Sequence, residues 1–292
     1  MREALRPSLA EHQKRGWPLF LLLVFSLPMN GAWAQGEKEV GVVAHPTSQT
    51  AWPDEGNSGV PAGTTLKPSG SIVITEAGAV VSGLDIRGTV DINASNVKLM
   101  NSRIRGARFD IVRIKRGAEN VVVQDCEIDG VGTDNDGSNG IRGAGTFLRN
   151  NIYHVENGIT LDGSATIEGN YIHDLLASGS PHYDGIQIDG GISDVTIRRN
   201  TVINPYTQTS AVMIDNYFGP ISNITVEQNR LIGGGYSVYS DGQFNGGTIS
   251  GVSFVENRLG KGHWGYRSVV KNTPVWRGNV DDVTGRDLTY AK

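Results

Sequence analysis

The chain has 292 residues, of which 39 are glycine and one is cysteine, and its formal net charge is −4. A mildly acidic chain gains no affinity from neutralising phosphates, so nucleic acid is a poor partner. A single cysteine excludes an intramolecular disulfide, and no C-x-x-C or H-E-x-x-H metal spacing occurs. Abundant glycine with few aromatics favours short strands and tight turns over helices.

Taken in chain order, the first residues read as a secretory signal. Arg2, Arg6, Lys14 and Arg15 form a basic start, Trp17 to Leu27 (WPLFLLLVFSL) is an apolar run too short to span a bilayer, and Ala32-Trp33-Ala34 fits a cleavage site. The expectation is a signal peptide over 1–34 and a secreted or periplasmic protein with no membrane attachment after cleavage. Its removal takes away four basic and two acidic side chains, which carries the charge from −4 to −6. Residues 35–63 have no sustained period and read as a linker or loosely packed lead-in. Periodicity begins at about residue 64 and ends near 280, leaving 281–292 as a tail.

The periodic part is a repeat. NVKLMNSRI from Asn96, NVVVQDCEI from Asn120, GTFLRNNIY from Gly145, SATIEGNYI from Ser164, DVTIRRNTV from Asp194, NITVEQNRL from Asn223 and GVSFVENRL from Gly251 share the template x-apolar-x-apolar-x-x-N-x-apolar. Leu99, Val123, Leu148, Ile167, Ile197, Val226 and Phe254 form an apolar column. Three residues on, Ser102, Cys126, Asn151, Asn170, Asn200, Asn229 and Asn257 form a polar one. A second strand precedes each template, with Ile141, Ile159, Ile186, Val212, Val238 and Val269 expected to point inward. Repeats of this length cannot bury an apolar side alone, so they must stack into a solenoid. Inward asparagines can then hydrogen bond to one another along the stack, and Cys126 reads as a small core substitute.

These templates, with their asparagine column, resemble the right-handed parallel β-helix proteins of the pectate-lyase-like superfamily. The resemblance covers residues 64 to about 280 and implies an all-β, single-stranded right-handed parallel β-helix with an asparagine ladder. The superfamily includes lyases, glycoside hydrolases, uronate epimerases, tailspikes and adhesins, so the fold alone does not choose among them.

Alternation along the second strand turns Arg142, Thr160, Gln187, Met213, Tyr239 and Val270 outward. Two residues further come Asp162, Asp189, Asp215, Asp241 and Asn272, an acidic column on the outer face. Stacked carboxylates raise one another's pKa unless a cation, donor or substrate intervenes. The plainer alternative is that each aspartate caps its own turn, since three of them precede glycine. Beside this column rises the loop HDLLASGSPHYDG after Ile172, which holds His173, Asp174, His182, Tyr183 and Asp184.

The catalytic candidates are therefore His182, Tyr183, Asp184, Asp189 and Asp215, with Arg142, Gln187, Tyr217 and Tyr239 to bind substrate. Asp162, Asp189 and Asp215 are candidate ligands for a calcium ion. His173, Tyr206, His263 and Trp264 are lesser candidates. The resemblance implies β-elimination of an acidic, uronate-containing polysaccharide, and the protein is expected to be a monomer. Two alternatives stand beside it: a hydrolase using Asp184, Asp189 and Asp215 as acid and base, and a non-catalytic polysaccharide-binding or adhesive solenoid.

Overall fold

A computed structural model describes residues 51–289, and the segment 1–34 expected to be a signal peptide and the start of the lead-in lie outside them. The described chain is an all-β parallel β-helix in which the strand pairs run parallel from Lys67–Ser69 to Val280–Asp281. Ten strands form one sheet and sixteen the other, the larger sheet being two rows that merge at the long strands Asn139–Leu148 and Asn157–Glu168. Each coil thus has three faces. The first carries strands such as Asp184–Ile188 and Val212–Ile214, the second Ile192–Arg198 and Ile221–Glu227, and the third Tyr171–Ile172 and Thr201–Asn204. Among the described residues no helix is long and apolar enough to cross a membrane.

Alternation in the template produces the core. Leu99, Val123, Ile167, Ile197 and Val226 are fully buried, as are Ile104, Ile128, Ile152 and Ile172 at the template's last position. Removing each such side chain from water is worth about 1.5–3 kcal/mol, and the branched ones suit a pleated strand. One residue with positive φ, among them Asp125, Arg149, Arg199, Gln228 and Glu256, bends the chain just ahead of each polar position.

The buried polar column is a hydrogen-bonded ladder. Asn150 Nδ2 donates to Asn170 Oδ1 at 2.9 Å, Asn170 to Asn200 at 2.9 Å, Asn200 to Asn229 at 2.9 Å, Asn229 to Asn257 at 3.0 Å and Asn257 to Asn279 at 2.9 Å. Each amide also reaches a backbone carbonyl of the preceding coil, as Asn200 does to Ile167 O at 2.9 Å. Cys126 continues the column as a buried thiol whose pKa burial pushes up to about 12, so it is inert packing.

The structure corrects the register in two coils. The ladder residue is Asn150 and not Asn151, and the buried side chain is Phe147 and not Leu148. Two consecutive asparagines fit the template equally well, but the positive φ of Arg149 makes the bend one residue early. In the last coil Val238 pairs with Arg267, so Val269 is 38% exposed and does not point inward. Val270 and Asn272 accordingly leave the outward columns assigned to them. There Tyr266 fills the core position beside Ser237 and caps the stack, its hydroxyl donating to Asp281 Oδ2 at 2.8 Å.

The lead-in also differs from a loose linker. Gly59 donates to Arg149 O at 2.7 Å, and its positive φ of 79° brings the backbone so close that a Cβ would sit 2.9 Å from Asn151 Cβ. Residues just before it therefore lie against the third face.

The ladder predicts a steep cost for truncation. Asn200→Ala strips the acceptor from the Asn170 N–H and side-chain amide, and the donor from Ile167 O and Asn229 Oδ1. Urea unfolding should show a loss of about 3–5 kcal/mol, since each orphaned buried group costs about 1–3 kcal/mol. A loss under about 1 kcal/mol would contradict the ladder's role.

Candidate functional site

The first face presents its outward side chains in register. Arg113, Arg142, Thr160, Gln187 and Met213 are successive partners, and Tyr239 follows from the Val212–Val238 pairing. Three residues earlier runs a second polar column of Asp110, Asn139, Asn157 and Asp184. The two are tied together: Thr160 Oγ1 lies 2.6 Å from Asn139 Oδ1 and 3.2 Å from Gln187 Oε1, and Asn139 Nδ2 donates to Asp110 Oδ1 at 2.9 Å. The glycine after Asn139, Asn157 and Asp184 permits the close approach. At Gly185 a Cβ would meet Val202 Cγ1 at 2.2 Å.

Two residues beyond Gln187 and its equivalents stand Asp162, Asp189, Asp215 and Asp241. Three of them have evident partners. Asp162 pairs with Arg142 at 3.3 Å and Arg116 at 3.8 Å, Asp215 Oδ1 accepts the Tyr217 N–H at 2.8 Å, and Asp241 Oδ1 accepts the Gln243 N–H at 2.9 Å. The turn-capping role thus accounts for Asp215 and Asp241. It does not account for Asp189, whose Oδ1 is buried without any hydrogen-bond partner.

Electrostatics separates the members of the column. Burial, then the Asp215 charge on the next rung, pushes Asp189 up to about 6, with Arg142 and Gln187 opposing. Asp215 is raised by burial while the Tyr217 N–H pulls it down, and Asp241 raises it further. Adjacent carboxylates in unlike surroundings are the usual arrangement for dividing acid and base roles.

The loop candidates fare differently. His182 is exposed, and its backbone N–H donates to Glu156 Oε1 at 3.1 Å. Tyr183 is buried and stacked on Tyr206 at 3.7 Å between ring centroids, its hydroxyl accepting the Ala177 N–H, so it packs the loop and does not face a ligand. Asp184 is 2% exposed, with its pKa raised by burial and then by the Asp189 charge, so it is a buried residue and not an outward one. His173 is buried on the third face, away from the acidic column.

Aromatic rings flank the column at both strand ends. Tyr217 is 59% exposed and meets Phe218 at 4.8 Å and Phe244 at 5.3 Å, edge to face. Tyr239 meets Tyr236 at 5.5 Å, and Tyr236 meets Trp264 at 5.8 Å. Phe218, Phe244, Tyr236 and Arg116 were not among the sequence candidates because they lie outside the repeated positions.

The three proposed calcium ligands do not converge. Among the described residues, the group of His, Cys, Asp and Glu donors lying within 4.8 Å of one another is Glu55, His173 and Asp174, not Asp162, Asp189 and Asp215. The latter follow one another rung by rung along the stack. Two open clefts also lie elsewhere, one of about 440 Å³ over Thr146, Thr166 and Thr196 and one of about 400 Å³ beside His173. In the acidic column Asp162, Asp189 and Asp215 are half-buried and Asp241 is buried.

Asp189 gives a signed pH prediction. A folded pKa of about 6 against an ordinary 3.8 means the native state is favoured by the proton, so this contribution is complete below about pH 4 and is lost as pH rises through about 6. The urea midpoint of the parent should therefore fall across that window, and Asp189→Asn should fall less. Equal slopes would show that Asp189 is not displaced from its ordinary range.

No family model matches the chain, and no curated protein matches it. Among solved structures it is similar to the crystal structure of the Dettilon tailspike protein, with 16% identity and a TM-score of 0.40. That match covers 77% of this chain and 60% of the tailspike chain, so the chain spans less than two thirds of the tailspike's length. The fold stands on the strand pairing itself, and nothing about activity is drawn from this likeness.

Proposed function

We propose that the first face binds an acidic polysaccharide along the stack axis and hydrolyses a glycosidic bond at Asp189 and Asp215. The observation that carries this reading is the unpartnered, buried Oδ1 of Asp189, on a carboxyl held near 6 beside a second carboxylate on the next rung. A carboxyl that keeps its proton near neutrality can deliver it to a leaving oxygen. A neighbour anchored by a backbone N–H can act on water or on the sugar. Arg142 and Arg113 at one end offer forked donors to a sugar carboxylate, and the rings at the other end offer faces to a pyranose.

From Arg142 to Tyr239 the outward column passes four rung steps, about 19 Å at the usual spacing, which accommodates an oligosaccharide segment. β-Elimination, the other reading, is favoured by the two arginines on the same face. It would assign Asp189 as the base, since His182 and Tyr183 are not on the column. A secreted or periplasmic location, as the leader implies, would bring the protein to such a substrate. A bridging calcium would have to draw on Asp189 and Asp215 from successive rungs.

Incubation with a panel of uronate-containing polysaccharides tests the reading. Hydrolysis yields new reducing ends without ultraviolet absorbance, elimination yields absorbing unsaturated ends, and a binder yields neither. Asp189→Asn and Asp215→Asn should each lower kcat by about 10²–10⁴ with the fold intact by circular dichroism. Loss of turnover on chelation that Ca²⁺ restored and Zn²⁺ did not would support calcium in the site. Full activity in both aspartate variants would remove the column from the chemistry.

A further inference from the structure

The third face carries a second cluster, independent of the polysaccharide reading. The lead-in lies over the rungs Glu127–Asp129, Asn151–Tyr153 and Tyr171–Ile172, and the cleft of about 400 Å³ beside them is lined by Glu55, Glu127, Tyr153, His154, His173 and Asp174. Most of these groups satisfy one another. Tyr153 OH donates to Glu127 Oε1 at 2.7 Å, and His154 Nδ1 lies 3.0 Å from Asp129 Oδ1.

His173 is the exception. It is 5% exposed, clamped by Tyr171 stacked at 4.0 Å and Tyr153 at 5.4 Å, and each ring nitrogen faces an oxygen: Nδ1 lies 2.8 Å from Asp174 Oδ2 and Nε2 lies 2.8 Å from Asn151 Oδ1. A neutral imidazole has one N–H and can donate to only one of them. The other nitrogen keeps a lone pair, open to a cation or to an amide N–H, and a Glu55 oxygen completes a three-donor group with ligand atoms within 4.8 Å of one another.

We infer that Glu55, His173 and Asp174 bind a first-row divalent cation of the Zn²⁺ type, with Asn151 as the residue that orients the imidazole. A cation on Nδ1 leaves the Nε2 proton for the Asn151 carbonyl, the outer hydrogen bond that metal-bound histidines generally make. Two carboxylates balance the ion's charge, and the cleft has room for water ligands. One imidazole nitrogen with two carboxylates suits Zn²⁺ or Mn²⁺ better than Ca²⁺, which prefers an all-oxygen shell of six to eight donors. Because Glu55 belongs to the lead-in, the ion would pin residues 51–60 to the third face.

The test is calorimetric titration of the full chain, stripped by chelator, with Zn²⁺ and separately with Ca²⁺ at neutral pH. One equivalent of Zn²⁺ should bind, and Ca²⁺ should bind at least tenfold more weakly. Glu55→Gln and Asp174→Asn change exposed side chains and should leave the fold intact while weakening Zn²⁺ at least tenfold. Asn151→Ala should weaken it about 10–100-fold through the ring orientation. Zn²⁺ should also slow proteolytic cleavage of the lead-in in the parent but not in Glu55→Gln. Absence of saturable Zn²⁺ binding would overturn the inference. So would equal affinity in the Glu55 and Asp174 variants, or tighter binding of Ca²⁺ than of Zn²⁺.

Discussion

In a parallel stack every side chain sits about 4.8 Å from its counterpart in the next coil, so each repeated residue must be compatible with copies of itself. Asparagine is, because an amide both donates and accepts, and the chain from Asn150 to Asn279 uses both capacities at every rung. Isoleucine and valine are, because contact between like apolar surfaces is favourable whatever the copy number. Aspartate is not, and the protein treats its aspartates one by one.

Asp162 is neutralised by arginines, while Asp215 and Asp241 lean on backbone N–H groups of their own turns. Asp184 is buried, and burial with the Asp189 charge raises its pKa. Asp189 alone has a buried oxygen with nothing to bond and a carboxyl moved toward neutral pH. A displaced carboxyl of this kind, between aromatic groups and a pair of arginines, is the physical basis for assigning chemistry to the first face. The third face solves its crowding differently, by gathering unlike donors around one imidazole.

Sequence periodicity carried the fold because the template alternates strictly and recurs with its polar residue fixed. It failed where that signal was degenerate: two adjacent asparagines made 150 and 151 interchangeable, and the final coil lacks a following coil to enforce its pattern. The acidic column was legible for the same reason as the core, since both follow from alternation about Ile186 and its equivalents. Tyr183 and Asp184 were not. Their burial depends on Tyr206 stacking and on Asn204 donating to Tyr183 O, contacts made by the next coil. The approach of Glu55 to His173 joins the lead-in to a distant rung, and nothing local in either segment announces it.

The central claim is that Asp189 is displaced from ordinary carboxylate behaviour by burial and by its neighbour on the next rung. Carbon-detected NMR titration of its side-chain carboxyl, in the parent and in Asp215→Asn, measures this directly. The account predicts a midpoint of about 6 in the parent and a lower one in the variant, because the repelling charge has gone. A midpoint near 3.8 in both proteins would contradict it.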